Sequence, residues 1–171
     1  MRWEDIDFGS GWWTIPAERI KTDEDKGEAE DYVVPLPPAA VKILRTMPVF
    51  AGSEFAFTAK GKRPLNDFGA VKRRLDRRII ELNGGEPIEP WTFHDCRRTF
   101  RTGLSSVGVL PHIAELCLAH RQTGIARVYD LHTFEPEKRR AFAKWATRLL
   151  SIVEPSPAPG KVIPIRRRAA A

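Results

Sequence analysis

A chain of 171 residues, 42% apolar and 29% charged, has the length and composition of one soluble globular domain with a tail. It contains no apolar run near the roughly 20 residues that cross a membrane, and no segment resembles a signal peptide. Cys96 and Cys117 form no C-x-x-C pair, which favours a reducing, cytoplasmic compartment and argues against a structural zinc site.

The formal net charge of +6 is distributed unevenly. Residues 1–57 carry 6 Lys and Arg against 11 Asp and Glu, whereas residues 58–151 carry 18 against 10 and residues 152–171 carry 4 against 1. A concentrated excess of cations is typical of a surface that neutralises phosphates and releases their counterions. Nucleic acid is therefore one candidate partner, although many basic proteins bind none.

The first part of the chain predicts a short β-hairpin. Aromatic and β-branched residues form two strand-like runs at 12–15 and 31–36, and polar, turn-forming residues separate them at 21–28. Lys21 lies on the first arm beside this turn, where it either reaches into a groove or stays solvated. After the hairpin, the pair Pro37 and Pro38 predicts the start of a helix, which Pro48 ends.

A second helix is predicted from Asn66, as its N-cap, to the NGG sequence at 83–85. Its apolar residues recur at helical spacing and predict a face that packs on the core: Phe68, Val71, Leu75 and Ile79. Its outer face is basic and carries Lys72, Arg73, Arg74, Arg77 and Arg78. Such a face is either a solvated surface or a contact with DNA phosphates.

Residues 91–101 (WTFHDCRRTFR) have the period of a helix with two chemically different faces. The apolar stripe consists of Phe93, Cys96, Phe100, Leu104 and Val107. His94, Arg98 and Arg101 point the other way, and Arg97 falls on the border. There a partly desolvated guanidinium binds phosphate oxygens well. The pattern by itself suits a solvated basic helix equally.

Three further elements complete the predicted domain. A short apolar helix covers 112–118, another helix or turn covers 125–129, and a long amphipathic helix begins at Glu135. The proline-, alanine- and arginine-rich residues 154–171 predict a disordered tail, which leaves 1–153 as the folded domain. The fold class predicted is α+β and mostly helical, with a small antiparallel sheet near the N-terminus.

Several motifs, in this order along the chain, resemble those of the tyrosine recombinases, or phage-type integrases. Residues 94–99 (HDCRRT) match the family's H-x-L-R-R-T, 118–121 (LAHR) match its L-G-H, and 128–130 (VYD) match the segment of its nucleophilic tyrosine. Residues 3–7 (WEDID) match the entry to the family's sheet, and 18–22 (ERIKT) match its lysine hairpin. The resemblance covers about residues 2–150.

The resemblance implies a catalytic role for each matching residue. Tyr129 would attack a DNA phosphorus and form a 3′-phosphotyrosine with a free 5′-hydroxyl. Arg97 and His120 would contact the phosphate oxygens, and His94 would bind the phosphate or take the tyrosine proton. Lys21 would protonate the departing 5′ oxygen. Because one ester replaces another and cations stabilise the charge, we expect no ATP, metal ion or other cofactor.

The same resemblance implies partners. Double-stranded DNA would be contacted through five arginines, namely Arg73, Arg74, Arg77, Arg98 and Arg101. Other copies of the chain would also be partners, since full-length members of the family act as tetramers on DNA. A membrane is not expected, and the protein would be bacterial or phage-encoded and cytoplasmic.

Departures from the family pattern leave alternatives. The family's G-x-R-x-x-E helix, with a further phosphate-binding arginine, and its separate DNA-clamping domain have no match here. We therefore expect a truncated catalytic domain with impaired cleavage, or an inactive remnant that only binds DNA or a partner. Ala119 replaces a glycine, and Cys96 replaces a leucine but should still pack. A type IB topoisomerase and, less favoured, a metal site of His94, Cys96, Cys117 and His120 are further interpretations.

Overall fold

The computed structural model describes residues 1–20, 30–120, 129 and 132–155. Lys21, the predicted hairpin turn, most of the predicted helix at 125–129 and residues 156–171 of the predicted tail lie outside the described residues. The architecture is α+β and mostly helical, with its small antiparallel sheet near the N-terminus, so the predicted fold class is confirmed. Among the described residues, no helix has the length and apolarity needed to cross a bilayer.

The sheet has three antiparallel strands in the order β1 (Ile6–Asp7), β2 (Trp12–Ile15) and β3 (Tyr32–Pro35). Trp13 on β2 lies opposite Ile6 on one side and Val34 on the other. Short 3-10 helices at Trp3–Asp5 and Ala17–Arg19 flank this sheet. The two runs of aromatic and β-branched residues therefore identified both long strands.

Helix α1 (Pro38–Thr46) follows β3 and begins and ends close to the predicted prolines. It buries Leu44 against Ile6 and Ala56, and the rings of Trp3 and Trp13 pack around this cluster. The cluster fixes the sheet, and through the sheet it fixes the position of β3 beside the helices.

The second and larger part is a helical core made by α3 (Phe93–Ser106), α4 (Pro111–Cys117) and α5 (Glu135–Val153). Its centre consists of buried residues from all three helices: Leu104, Ile113, Ala114, Cys117 and Ala141. The backbone of Gly103 touches the Trp145 ring so closely that an added Cβ would lie 2.0 Å from it. The three helices thus form one tightly packed unit.

The apolar stripe predicted for α3 is only partly buried. Leu104 is fully buried and Phe100 packs against the core, as expected. Phe93 is 40% exposed and Cys96 is exposed, so the prediction that they pack inside is wrong. The first turns of α3 project beyond α4 and α5, and only the second half of the helix lies in the core.

Helix α2 (Phe68–Leu82) differs from the others because it buries no residue. Its predicted core face is wrong, since Phe68 is 57% and Leu75 is 41% exposed. The predicted N-cap is displaced by one residue, because the Asp67 carboxylate accepts the N–H of Ala70 at 2.8 Å. Asn66 lies just outside the helix.

Candidate active site

The geometry of the site begins with the way α4 ends. After the C-cap Leu118, the N–H of Ala119 donates to the Leu116 carbonyl at 3.1 Å and that of His120 donates to the Glu115 carbonyl at 3.1 Å. This is the Schellman pattern, which needs a left-handed residue, and Ala119 has a φ of 59°. The turn directs the chain back, so that His120 lies beside the side chain of Glu115.

Arg97 on α3 meets His120 at this turn. Its Nη2 donates to the Leu118 carbonyl at 2.6 Å and lies 2.9 Å from His120 Nε2. Two residues that are 23 positions apart in sequence therefore converge on one point of the surface. Arg97 is exposed as a residue, although its hydrogen bond to the Leu118 carbonyl is partly buried. Its Nε and Nη1 donate to no other described residue.

Glu115 lies on the other side of His120. Its Oε2 is 2.5 Å from His120 Nδ1, and its Oε1 accepts from Arg101 Nε at 2.7 Å. The contact with His120, followed by that with Arg101, lowers the pKa of the Glu115 carboxyl, which favours the charged carboxylate. A line of four side chains thus runs from Arg97 through His120 and Glu115 to Arg101.

Tyr32 fixes the same turn from the sheet. Its hydroxyl donates to the Leu116 carbonyl at 2.7 Å and accepts the N–H of Ala119 at 3.2 Å. Burial raises the pKa of Tyr32 to about 12, so the hydroxyl keeps its proton at neutral pH. Lys138 of α5 is buried, and its Nζ lies 4.7 Å from the centre of the Tyr32 ring. Burial lowers the pKa of Lys138.

The remaining predicted catalytic residues are placed separately. His94 is exposed one helical turn before Arg97 on α3, and no hydrogen bond joins it to another described residue. The Tyr129 side chain is 82% exposed, and its hydroxyl bonds to none of the residues that the structure describes. Lys21 lies outside the described part of the chain. Their catalytic roles stay predictions.

The predicted DNA-binding arginines fall into two groups. Arg73, Arg74 and Arg77 are exposed on α2 and form no ion pair with any described residue. Arg98 lies 3.5 Å from Asp95, and Arg101 is held by Glu115. The two other cations of α2 are also paired, Lys72 with Asp76 at 2.6 Å and Arg78 with Glu81 at 3.0 Å.

The alternative metal site does not form in the described part of the chain. His94, Cys96, Cys117 and His120 are not gathered, and no group of three or more His, Cys, Asp or Glu residues there could hold an ion. Cys96 is exposed whereas Cys117 is buried in the helical core. Burial raises the pKa of the Cys117 thiol to about 11, which disfavours the thiolate that binds metals.

Sequence reasoning missed two residues that shape the site, Glu115 and Tyr32. A carboxylate five positions before His120, in an otherwise apolar helix, was the available signal for Glu115. Nothing in the sequence linked Tyr32 to a turn that lies 87 residues further along the chain.

Comparison with known proteins identifies the family of the chain. The model of the phage integrase family matches residues 1–135, so the chain belongs to this family. The prophage integrase IntA of Escherichia coli (strain K12) is 32% identical over 149 residues, which cover 85% of this chain and 33% of that protein. The prophage integrase IntZ of the same strain is 30% identical over 155 residues, or 89% and 35%.

The chain thus spans about a third of the length of these curated relatives. No solved structure matches it. The family predicted from the ordered motifs is confirmed.

Proposed function

We propose that this chain carries the phosphate-activating part of a DNA strand-transfer site, used in site-specific integration or recombination of phage-type DNA. The observation that carries the proposal is the 2.9 Å approach of Arg97 to His120 on an exposed surface. A guanidinium and an imidazole at one point form a site for an anionic oxygen: the guanidinium donates to the non-bridging oxygens of a phosphodiester, and the imidazole does so when Nε2 carries a proton.

In the proposed reaction the Tyr129 oxygen attacks the phosphorus, and the bond between phosphorus and the 5′ oxygen breaks. The tyrosine proton passes to a base, for which His94 is the candidate. Lys21 gives a proton to the departing 5′ oxygen. The product is a 3′-phosphotyrosine, and attack by another 5′-hydroxyl reverses the same steps and joins a new strand. Arg97 and His120 would stabilise the charge on the pentavalent phosphorus.

We expect the 171-residue chain to cleave slowly. Among the described residues, only Arg97 and His120 of the proposed catalytic groups are in contact, and the tyrosine stands free of them. Binding to duplex DNA, together with other copies of the chain, would bring the remaining groups to the phosphate. Each transition-state donor that is not in place costs on the order of 10² to 10³ in rate.

The test is covalent trapping on DNA. A library of nicked duplexes with randomised sequence is incubated with the chain, and protein–DNA adducts are separated on a denaturing gel and sequenced. We expect an adduct that Tyr129→Phe abolishes. We expect Arg97→Ala to reduce its rate of formation by about 10² to 10³. Arg98→Ala is the matched control, which should weaken DNA binding without changing the rate at saturation.

An adduct that persists in Tyr129→Phe would remove the nucleophile from the proposal. DNA binding with no adduct at all would support the second candidate function, a recombinase remnant that binds DNA or a partner without cleaving it. That candidate is favoured by the three unpaired arginines of α2, because they can neutralise phosphates independently of the chemistry.

A further inference from the structure

The line of side chains from Arg97 to Arg101 has a defined order of donors and acceptors. A guanidinium has only N–H groups, so Arg97 Nη2 must donate to His120 Nε2 across their 2.9 Å contact. Nε2 therefore presents its lone pair. In the neutral imidazole the proton must then sit on Nδ1, which donates it to Glu115 Oε2 at 2.5 Å. The contacts specify a single tautomer of His120.

Glu115 is itself held in place from two directions. Arg101 Nε binds its second oxygen at 2.7 Å, and Arg101 Nη1 donates to Ser105 Oγ at 2.8 Å on the same helix. The Glu115 carbonyl also accepts the N–H of His120 at 3.1 Å. Backbone and side chain of Glu115 thus both contact His120, and α3 supports the carboxylate from behind.

We propose that Glu115 is a positioning residue for His120, with Arg101 as the support of its carboxylate. By holding the proton on Nδ1, Glu115 keeps Nε2 directed at the point where Arg97 donates. With a bound phosphate, Arg97 turns its N–H from Nε2 to a phosphate oxygen, and an Nε2 that carries a second proton donates to the phosphate as well, while the Glu115 carboxylate offsets the added charge. The effect of Glu115 on cleavage rests on the proposed function. Its effect on the tautomer of His120 does not.

The competing explanation is an ordinary surface ion pair. The side chains of His120 and Glu115 are 53% and 43% exposed, and exposed pairs of this kind contribute little to stability. If the contact is an ordinary ion pair, replacing Glu115 should leave the tautomer of His120 unchanged. Its effect on cleavage should also be the same whether or not His120 is present. Both consequences can be measured.

The first experiment reads the tautomer in the free protein. The chain has four histidines, so their ring nitrogens can be assigned in long-range proton–nitrogen spectra recorded at alkaline pH. We expect His120 to carry its proton on Nδ1. In Glu115→Ala only the Arg97 contact still disfavours a proton on Nε2, so we expect a partial Nε2-protonated population, whereas Glu115→Gln should keep the proton on Nδ1, because the amide oxygen still accepts. Wild-type His120 protonated on Nε2, or an unchanged tautomer in Glu115→Ala, would overturn the proposal.

The second experiment is a double-mutant cycle on single-turnover cleavage at saturating DNA. We expect Glu115→Ala to slow cleavage on the order of tenfold or more, as when a carboxylate that orients a catalytic imidazole is lost. In a His120→Ala background the same substitution should have no further effect. Equal losses in both backgrounds would contradict a role through His120.

The two arms separate failure of this inference from failure of the proposed function. If the wild-type chain forms no adduct on any DNA, the strand-transfer proposal fails, while the tautomer of His120 still decides the role of Glu115. Circular dichroism of each variant establishes that the fold is kept.

Discussion

The helical core and α2 are both basic and both helical, yet they are held by different forces. In the core, α3, α4 and α5 share a buried apolar centre, and Leu104 and Ala114 have no exposed surface. Helix α2 has no buried residue, and ring and polar contacts at the start of α3 hold it. There Trp91 Nε1 donates to Asp76 at 3.0 Å, and the rings of Phe68 and Phe93 lie 6.0 Å apart.

This difference matches the demands of the two proposed roles. A group that stabilises a transition state must hold its position within a fraction of an ångström, and Arg97 and His120 are attached to the packed core. Cations that neutralise a DNA backbone need reach and exposure more than precision. Arg73, Arg74 and Arg77, which form no ion pair with any residue that the structure describes, lie on the loosely attached helix.

The difference in packing between the helical core and α2 is tested most directly by replacing one glycine with alanine in each region. At Gly103 the new Cβ would lie 2.0 Å from the Trp145 ring, so the α3–α5 contact must open. We expect Gly103→Ala to lower the free energy of unfolding by about 3 kcal/mol, at the upper end of overpacking costs. Urea unfolding, followed by circular dichroism, measures the change.

Gly69→Ala in α2 is the matched control. Its Cβ would meet only Arg73 Nη1 at 3.4 Å and Asp67 Oδ1 at 3.5 Å, both on flexible or exposed side chains. Since alanine is the better helix former, we expect a neutral change or a gain of up to about 1 kcal/mol. Equal losses at the two positions would show that α2 is packed as tightly as the core.

Alkaline pH should destabilise the turn that carries His120. Because burial raises the pKa of Tyr32 from 10.0 to about 12, the unfolded chain releases this proton first as pH rises. The stabilisation is complete below about pH 10 and is lost toward pH 12, by up to about 2 kcal/mol. Cys117, with its pKa raised to about 11, acts in the same direction, and Lys138, with a lowered pKa, opposes both.

Tyr32→Phe isolates the contribution of the phenol. It should lower stability at pH 8 by about 1–2 kcal/mol, through the loss of two hydrogen bonds. It should also show a smaller decrease between pH 9.5 and 11 than the wild type. Urea titrations at these pH values give the comparison. The same alkaline decrease in both proteins would mean that Tyr32 is not the responsible group.

The sequence predicted the elements of the core better than their packing. Period and prolines located α1, α3, α4 and α5 to within a few residues, because these signals are local. The apolar residues of α2 and of the first turn of α3 have the same period, but a repeat cannot reveal whether a partner surface exists. For this reason the period predicts that Phe68 and Phe93 are buried, whereas both lie exposed.

Only the site residues that belong to a sequence motif could be predicted. Arg97 and His120 belong to ordered motifs, and the fold brings these two side chains together, while their catalytic roles stay predictions. Glu115 and Tyr32 act through hydrogen bonds whose geometry depends on the left-handed turn at Ala119, and that conformation is unusual for alanine. Only the folded chain reveals it.

DNA affinity should depend on the α2 arginines that form no ion pair with a described residue more than on those that do. Replacing Arg73, Arg74 and Arg77 together by alanine should weaken duplex binding about tenfold or more at low salt. The salt dependence of log affinity should decrease by about 0.9 for each phosphate contact removed. Arg78→Ala is the control, since Glu81 already neutralises that residue at 3.0 Å. Fluorescence anisotropy at several salt concentrations measures both, and equal slopes for the wild type and the triple variant would exclude α2 as the DNA contact.

The smallest predicted effect concerns Ala119, whose φ of 59° lies in the left-handed region. A residue with a Cβ is strained there by roughly 1–2 kcal/mol, whereas glycine adopts this conformation freely but loses more entropy on folding. We expect Ala119→Gly to raise the free energy of unfolding by about 0.5–1 kcal/mol.

Ala143→Gly, at an exposed position inside α5, is the control and should lower the free energy of unfolding by roughly 0.5–1 kcal/mol. Urea unfolding of the two variants supplies the test. Because the N–H groups of residues 119 and 120 stay in place, DNA cleavage should be unchanged in Ala119→Gly. A loss of stability there would mean that the turn before His120 is not the Schellman turn described above.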